Sequence, residues 1–396
     1  MPATPHLRLA ALGLALMLGA CASPPPAAVP PASATLFEDQ AFGAPSMAPD
    51  VSAVFALSPA MRAYLDADIG RLIHTLGPQR GLVEAIHTKA QLRLEYDAER
   101  TRTAAEAFDA RTGNCLSLVV LVAAFAKQLD LPITYQALIG QETWSRSGGY
   151  YFVNGHVNIT VARRLIDQFA QIDGSERLRI SFGTIPRGRG QLVQSVGEAT
   201  IVAMFMNNRA AELLVQSRID DAYAHVREAI RQDPGYVAAY NTLGVIYQRK
   251  AMRVAAERAF RAALERDENH RAALYNVARL LDQQGYRGAA AYFEARLAKL
   301  ERDPPFAHFD RGVAAAEAGD YATARDELLL EMKRDPDYHE FHFWLAVALH
   351  GLGDVERARQ HLELARKYSV TQRDQAVYGA KLRRIEAAAA VARRPL

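Results

Sequence analysis

Leu243-Gly-Val-Ile-Tyr247, followed by Ala256 and Phe260, is the stretch on which the fold turns, because its small and large residues recur along the chain. Ala222, Ala256, Ala290, Ala324 and Ala358 are spaced 34 residues apart. Val226, Phe260, Glu294, Leu328 and Leu362 keep the same period in the places where a bulky apolar side chain is wanted, and Glu294 alone departs. Leu243, Gly244 and Tyr247 open the second unit, while Pro234 and Pro336 close the first and fourth. A fixed period of this length is the signature of a repeat architecture built from helical hairpins.

The pattern resembles tetratricopeptide repeats, with five units from about Ala203 to Lys367 and a closing helix over Gln372 to Ala389. The third unit is the weakest, with Asp303-Pro304 falling two residues past the expected proline position, so a local slip is expected there. Such hairpins cannot bury their faces alone; they stack and leave a concave surface that binds a peptide or protein. Tyr240, Asn241, Asn276 and His308 lie in first helices, where the groove would be lined. An array that only stabilises or dimerises the chain is the alternative.

Upstream the pattern changes abruptly at Pro186-Arg-Gly-Arg-Gly190. From roughly Val54 to Thr184 the reading is an α+β domain: helical periodicity in Pro59 to Thr75 and Leu82 to Leu94, a buried helix after Cys115, then strand patterns. Arg111-Thr-Gly-Asn-Cys-Leu-Ser117 leads into the apolar run Leu118 to Ala126, a turn feeding a helix buried on most sides. Cys115 is thereby expected at the start of that helix, where unpaired N–H groups favour thiolate, the reactive form. A base for it is His156, 41 residues on, in Tyr150-Tyr-Phe-Val-Asn-Gly-His-Val-Asn-Ile-Thr-Val161. Asn154-Gly155 signals a turn. Val157, Ile159 and Val161 then alternate with His156, Asn158 and Thr160, as in a strand with one face on the core.

Residues about 54 to 184 resemble a bacterial transglutaminase-like (papain-like) domain of the type found in lipoproteins fused to tetratricopeptide repeats. The stretches that carry the resemblance are Thr101-Arg-Thr-Ala104, Gly-Asn-Cys-Leu-Ser117, Leu129-Asp-Leu131 with Tyr135-Gln136, Trp144, and His156-Val-Asn158. The resemblance implies thiol chemistry on amides: proteolysis, amide hydrolysis or acyl transfer through a thioester, with Cys115 as nucleophile and His156 as base. The family places an Asp on the next strand to orient the His. In Arg177-Leu-Arg-Ile-Ser-Phe-Gly183 that phase is held by Ser181, which can orient an imidazole but cannot offset its charge. Asp167, Asp173 and Asn158 are the candidate substitutes.

At the N-terminus His6 and Arg8 precede the apolar run Leu9 to Leu18, which ends in Leu18-Gly-Ala-Cys21 and is too short to span a bilayer. It resembles a bacterial lipoprotein signal, implying cleavage before Cys21 and acylation of its thiol. Ala22 and Ser23 point to an outer-membrane lipoprotein facing the periplasm. A Pro/Ala-rich tether follows. Lipidation of Cys21 leaves Cys115 as the one free thiol of the two cysteines. The expected division is 1–20 signal peptide, 21–50 tether, 51–190 transglutaminase-like domain, 200–369 five repeats, and 370–396 capping helix and tail.

Half of the 396 residues are apolar and 23% are charged, a globular composition, and a net charge of +3 with interleaved signs gives no field for nucleic acid. His270, His308, His339, His342, His350 and His361 are scattered through the repeats without a ligand set, so no metal is expected. No Gly-rich phosphate loop appears and no cofactor is implied. Two functions are open: a cysteine-dependent amide hydrolase or acyltransferase with a protein-binding array, or a non-catalytic scaffold or adaptor lipoprotein whose degenerate domain and repeats only bind proteins. The residues name neither the substrate nor the partner, do not separate hydrolysis from transfer, and leave the oligomeric state open.

Overall fold

A computed structural model of the chain describes residues 36–87, 92, 94–97, 100–147, 150–163, 177–180, 182, 192–300, 306–369 and 372–392. The expected signal peptide, Cys21, Asp167, Asp173 and Ser181 lie outside the described residues.

Ser58 begins the first α-helix among the described residues: its side chain accepts the Met61 N–H at 3.2 Å and Pro59 supplies a preset φ. This helix, α1 (Pro59–Tyr64), runs through a π turn (Leu65–Ile69) into α2 (Gly70–Leu76), and Gly77 ends it at φ +78°. Next come α3 (Pro78–His87), a two-residue β1 (Glu95–Tyr96), α4 (Ala104–Ala110), β2 (Thr112–Gly113) and α5 (Cys115–Gln128). A reciprocal capping box between Thr103 and Glu106 starts α4. Every side chain of α5 from Leu116 to Ala126 is buried, which is why its sequence is apolar on all sides rather than on one stripe.

β3 (Ile133–Ser147), β4 (Tyr150–Ala162), β5 (Arg177–Ile180) and β6 (Leu192–Val196) form one antiparallel sheet in the order β5-β4-β3-β6. The Asn154-Gly155 turn expected from sequence is absent: both residues lie inside β4, and the β3–β4 hairpin closes between Ser147 and Tyr150. Leu138 pairs with His156 and Thr143 with Asn154, so four residues of β3 stand opposite Gly155 alone. Continuous pairing on both sides converts a local turn signal into an irregularity within the ladder. β6 completes the sheet just beyond the expected limit at 190.

Five helical hairpins follow: α6 (Glu198–Val215) with α7 (Ile219–Gln232), α8 (Val237–Arg249) with α9 (Arg253–Arg266), α10 (Arg271–Gln283) with α11 (Arg287–Leu300), α12 (Ala307–Glu317) with α13 (Tyr321–Met332), and α14 (His339–Gly351) with α15 (Val355–Tyr368); α16 (Gln372–Ala392) packs on α15. Two further ladders of the same period emerge. Ala210, Gly244, Ala278, Gly312 and Ala346 are buried where the two helices of a hairpin approach; a Cβ on Gly244 would stand 2.4 Å from the Phe260 ring. Ser217, Ala251, Gly285, Gly319 and Gly353 hold the left-handed turn between helices, at φ 61°, 60°, 83°, 83° and 83°. In the third hairpin Phe293 enters the core and Glu294 is exposed, which resolves the irregular Glu294 by a shift of one residue.

The expected boundary near 190–200 divides elements in sequence but not in space. One apolar core runs from Leu36 through the α/β part and on to Leu297 in the third hairpin; a second, from Phe306 to Leu382 with Ala272, serves the remaining repeats. Asp303-Pro304, where a slip is expected, lie between the two and outside the described residues. Just past them, the buried Glu331 carboxylate caps α12, accepting the N–H groups of Phe306 and His308 at 3.1 Å and Phe309 at 3.3 Å.

The part of the expected 21–50 tether that is described is packed rather than free. The Phe42 ring stacks on Tyr223 at 3.7 Å, and Lys250 Nζ lies over its ring at 4.3 Å. Tyr247 Oη donates to the Leu36 carbonyl at 2.7 Å, and Met47 N–H donates to Asp221 at 2.8 Å. Aromatic stacking and paired backbone groups offset the ordering entropy of this strap, which composition alone marks as unpacked.

Candidate functional site

Asn114 is the N-cap of α5: its Oδ1 accepts the Ser117 N–H and hydroxyl, each at 2.8 Å. Cys115 is thus the first residue of the helix, half-buried, and a free thiol. A Cβ on Gly113 would come within 2.7 Å of Ser117 Cβ, so the tight approach requires a residue without one.

The thiol is met by β4. Cys115 accepts a hydrogen bond from the Val157 N–H, the residue after His156, and is also favoured as thiolate by the Leu116 and Cys115 N–H groups. The thiol that opens α5 thus meets the backbone of β4 one residue beyond His156. His156 is partly buried, and its Nε2 is buried with no hydrogen-bond partner among the described residues. Burial lowers the His156 pKa, and the neighbouring Asn158 side chain opposes it by supporting the imidazolium. Asn158 is itself buried, and its Oδ1 makes no hydrogen bond of regular geometry. Of the three candidates for an orienting group, Asn158 is the one among the described residues, and it stands beside the ring.

Electrostatics corrects one sequence expectation. Burial pushes the Cys115 thiol above its ordinary pKa despite the three N–H donors. Removing the thiol from water costs more than the N–H donors return, so thiol and imidazole each rest neutral near pH 7.

The site adjoins the repeats. α5 packs on β4, and so do the first helices α8 and α10; Gly155 lies against Met204 of α6. The four residues expected to line the groove are otherwise engaged. Tyr240 is buried and donates to the Pro234 carbonyl at 2.9 Å, Asn276 donates to Asn241 at 2.8 Å inside the core, and His308 pairs with Glu327 at 2.7 Å. Sequence alone puts these polar side chains on the groove surface, because the close α8–α10 spacing that buries Asn241 with Asn276 is not written locally.

Among the described residues no group of three or more His, Cys, Asp or Glu is placed to hold a metal ion, and no helix is long and apolar enough to cross a membrane.

The tetratricopeptide repeat family model matches residues 279–337 and 329–369. The C-terminal helices are accordingly a tetratricopeptide-repeat solenoid. No curated protein matches the chain. Among solved structures, the chain is similar to YrrB, described as a tetratricopeptide-repeat protein with an unusual peptide-binding site, at 22% identity over 46% of this chain and 92% of that one, with a TM-score of 0.25. It is also similar to PilF of Pseudomonas aeruginosa, at 16% identity over 48% and 87% with a TM-score of 0.33. A thermophilic tetratricopeptide-repeat protein of Thermus thermophilus is 15% identical over 46% and 98%, with a TM-score of 0.34.

Proposed function

We propose that the protein is a lipid-anchored envelope protein, held at the outer membrane through acylated Cys21 and facing the periplasm. In this reading the α/β part is a transglutaminase-like cysteine amide hydrolase or acyltransferase, and the repeats engage a protein or peptide. The observation that supports the reading is the Val157 N–H donated to the Cys115 thiol, on the strand that bears His156, whose Nε2 makes no hydrogen bond among the described residues. His156 takes the thiol proton as sulfur bonds to an amide carbonyl carbon; the C–N bond then breaks and the proton leaves with the amine. Water entering the thioester gives hydrolysis, and a second amine gives transfer. The start of α5 offers N–H groups to the developing oxyanion.

A second reading, the adaptor, has its own support: burial raises the thiol, and α8 and α10 pack onto the strand that bears His156. The full chain treated with iodoacetamide at pH 7–9 separates them. Thiol chemistry predicts labelling of Cys115 that His156→Ala slows and Cys115→Ser abolishes. A thiol inert throughout that range leaves the adaptor standing.

A further inference from the structure

Thr101 is fully buried, and each of its polar groups is held. Its N–H donates to Glu212 Oε1 at 2.6 Å, and its carbonyl accepts from Arg209 Nη1 at 3.3 Å. Its hydroxyl accepts from Asn114 Nδ2 at 2.9 Å. Glu212 and Arg209 belong to α6, the first helix of the first repeat, and pair with each other at 3.4 Å. Asn114 is the residue that caps α5, and the Arg102 N–H, next to Thr101, donates to Ser117 Oγ at 2.8 Å. Arg209 also reaches Met47 of the strap at 3.5 Å. A continuous line of hydrogen bonds thus runs from the repeat array to the residue immediately before Cys115.

We propose that Glu212 and Arg209 are positioning residues for Cys115: by clamping Thr101, and through it Asn114, the first repeat sets the helix start that presents the thiol to His156. The inference rests on the reading of Cys115 as a nucleophile. Its physical content is that a side chain frees or fixes its neighbour through every buried polar group it satisfies, and Thr101 has none left over. The clamp keeps the Cys115 sulfur against the Val157 and Leu116 N–H groups. Without it those donors are less well aligned and the thiolate is less favoured.

The test measures the rate of Cys115 alkylation by iodoacetamide against pH in the full chain, with circular dichroism verifying the fold. Glu212→Ala removes the acceptor for Thr101, Thr101→Val removes the hydroxyl at nearly constant volume, and Glu212→Gln retains an acceptor oxygen. We expect Glu212→Ala and Thr101→Val each to raise the pH midpoint by about half a unit, a roughly threefold slower reaction below it, because the thiolate is the nucleophile. Glu212→Gln should restore most of the shift. The double variant should move the midpoint no further than the larger single, since both cut one chain of contacts. Unmoved or lowered midpoints in folded Glu212→Ala and Thr101→Val, beside a reactive wild-type thiol, overturn the positioning role alone. An inert wild-type thiol instead removes the nucleophile reading beneath it.

Discussion

The Val157 N–H donates to the thiol of Cys115, joining the first turn of α5 to the strand that carries His156. Burial raises the pKa of the thiol and lowers that of the imidazole, so both groups rest neutral near pH 7. In the proposed thiol chemistry the proton transfer to His156 is therefore a step of the reaction and not a resting state.

Alkylation of Cys115 should follow a titration whose midpoint lies above the ordinary cysteine value of about 8.5. Asn158→Leu should lower the His156 pKa further, since the side chain that supports the imidazolium is lost. Chemical shifts of the His156 ring against pH measure the second effect directly. An unshifted ring titration in Asn158→Leu would show that Asn158 does not act on it.

Gly244→Ala should destabilise the array, because the new methyl would stand 2.4 Å from Phe260 Cε1 in a fully packed hairpin. Overpacking of this kind costs about 1–3 kcal/mol. Urea unfolding checks it, and Phe260→Leu in the same chain should recover part of the loss.

Ala251→Gly should stabilise, since Ala251 occupies at φ 60° the place that Gly285, Gly319 and Gly353 fill without a Cβ penalty. The left-handed conformation costs a non-glycine residue about 1–2 kcal/mol, part of which glycine returns as unfolded-state entropy. A net gain of about 0.5–1 kcal/mol is expected from these two terms. A Tm unchanged or lower would contradict it.

The last repeat should lose stability in acid. His342 Nε2 donates to the Pro336 carbonyl at 2.8 Å, and its Nδ1 lies 2.9 Å from His361 Nδ1, so His342 stays neutral and accepts there from the His361 ring. Burial, His342 and Arg357 lower the His361 pKa from 6.5 to about 4. Because the folded pKa is depressed, the unfolded chain binds the extra proton first. The contribution is then present above pH 6.5 and is lost as pH falls toward 4. The whole shift corresponds to at most roughly 3 kcal/mol, less for a ring that is partly exposed. Thermal melts between pH 7.5 and 4 should show a falling Tm that His361→Gln flattens; equal slopes in both proteins would refute the assignment.

The repeats were legible because each unit repeats one local problem: Ala222, Ala256 and their successors answer the same contact every 34 residues. Where that contact shifted by one residue, at Phe293 and Glu294, the ladder showed the fault but not its cure, since only the neighbouring helices reveal which side chain faces inward. Asn154-Gly155 misled for the opposite reason. Its turn chemistry is real, but pairing with β3 on both sides outweighs the preference of two residues.

For the candidate site, the helix start at Cys115 could be read from Asn114 and the apolar run, and His156 from strand alternation, because caps and periodicity act over a few residues. The alignment of Val157 with the thiol, the placing of Asn158 and the grip of Glu212 on Thr101 could not be read. These join positions distant in the chain, and each depends on how the sheet, α5 and the first repeat pack into one core. By itself the sequence determined the repeat period and the residues that open α5 and line β4, all consequences of local backbone geometry. The tertiary structure alone decided which of them meet, how far burial suppresses their charges, and that the strap and repeats are part of the same core, because desolvation and long-range hydrogen bonding exist only once the chain has closed on itself.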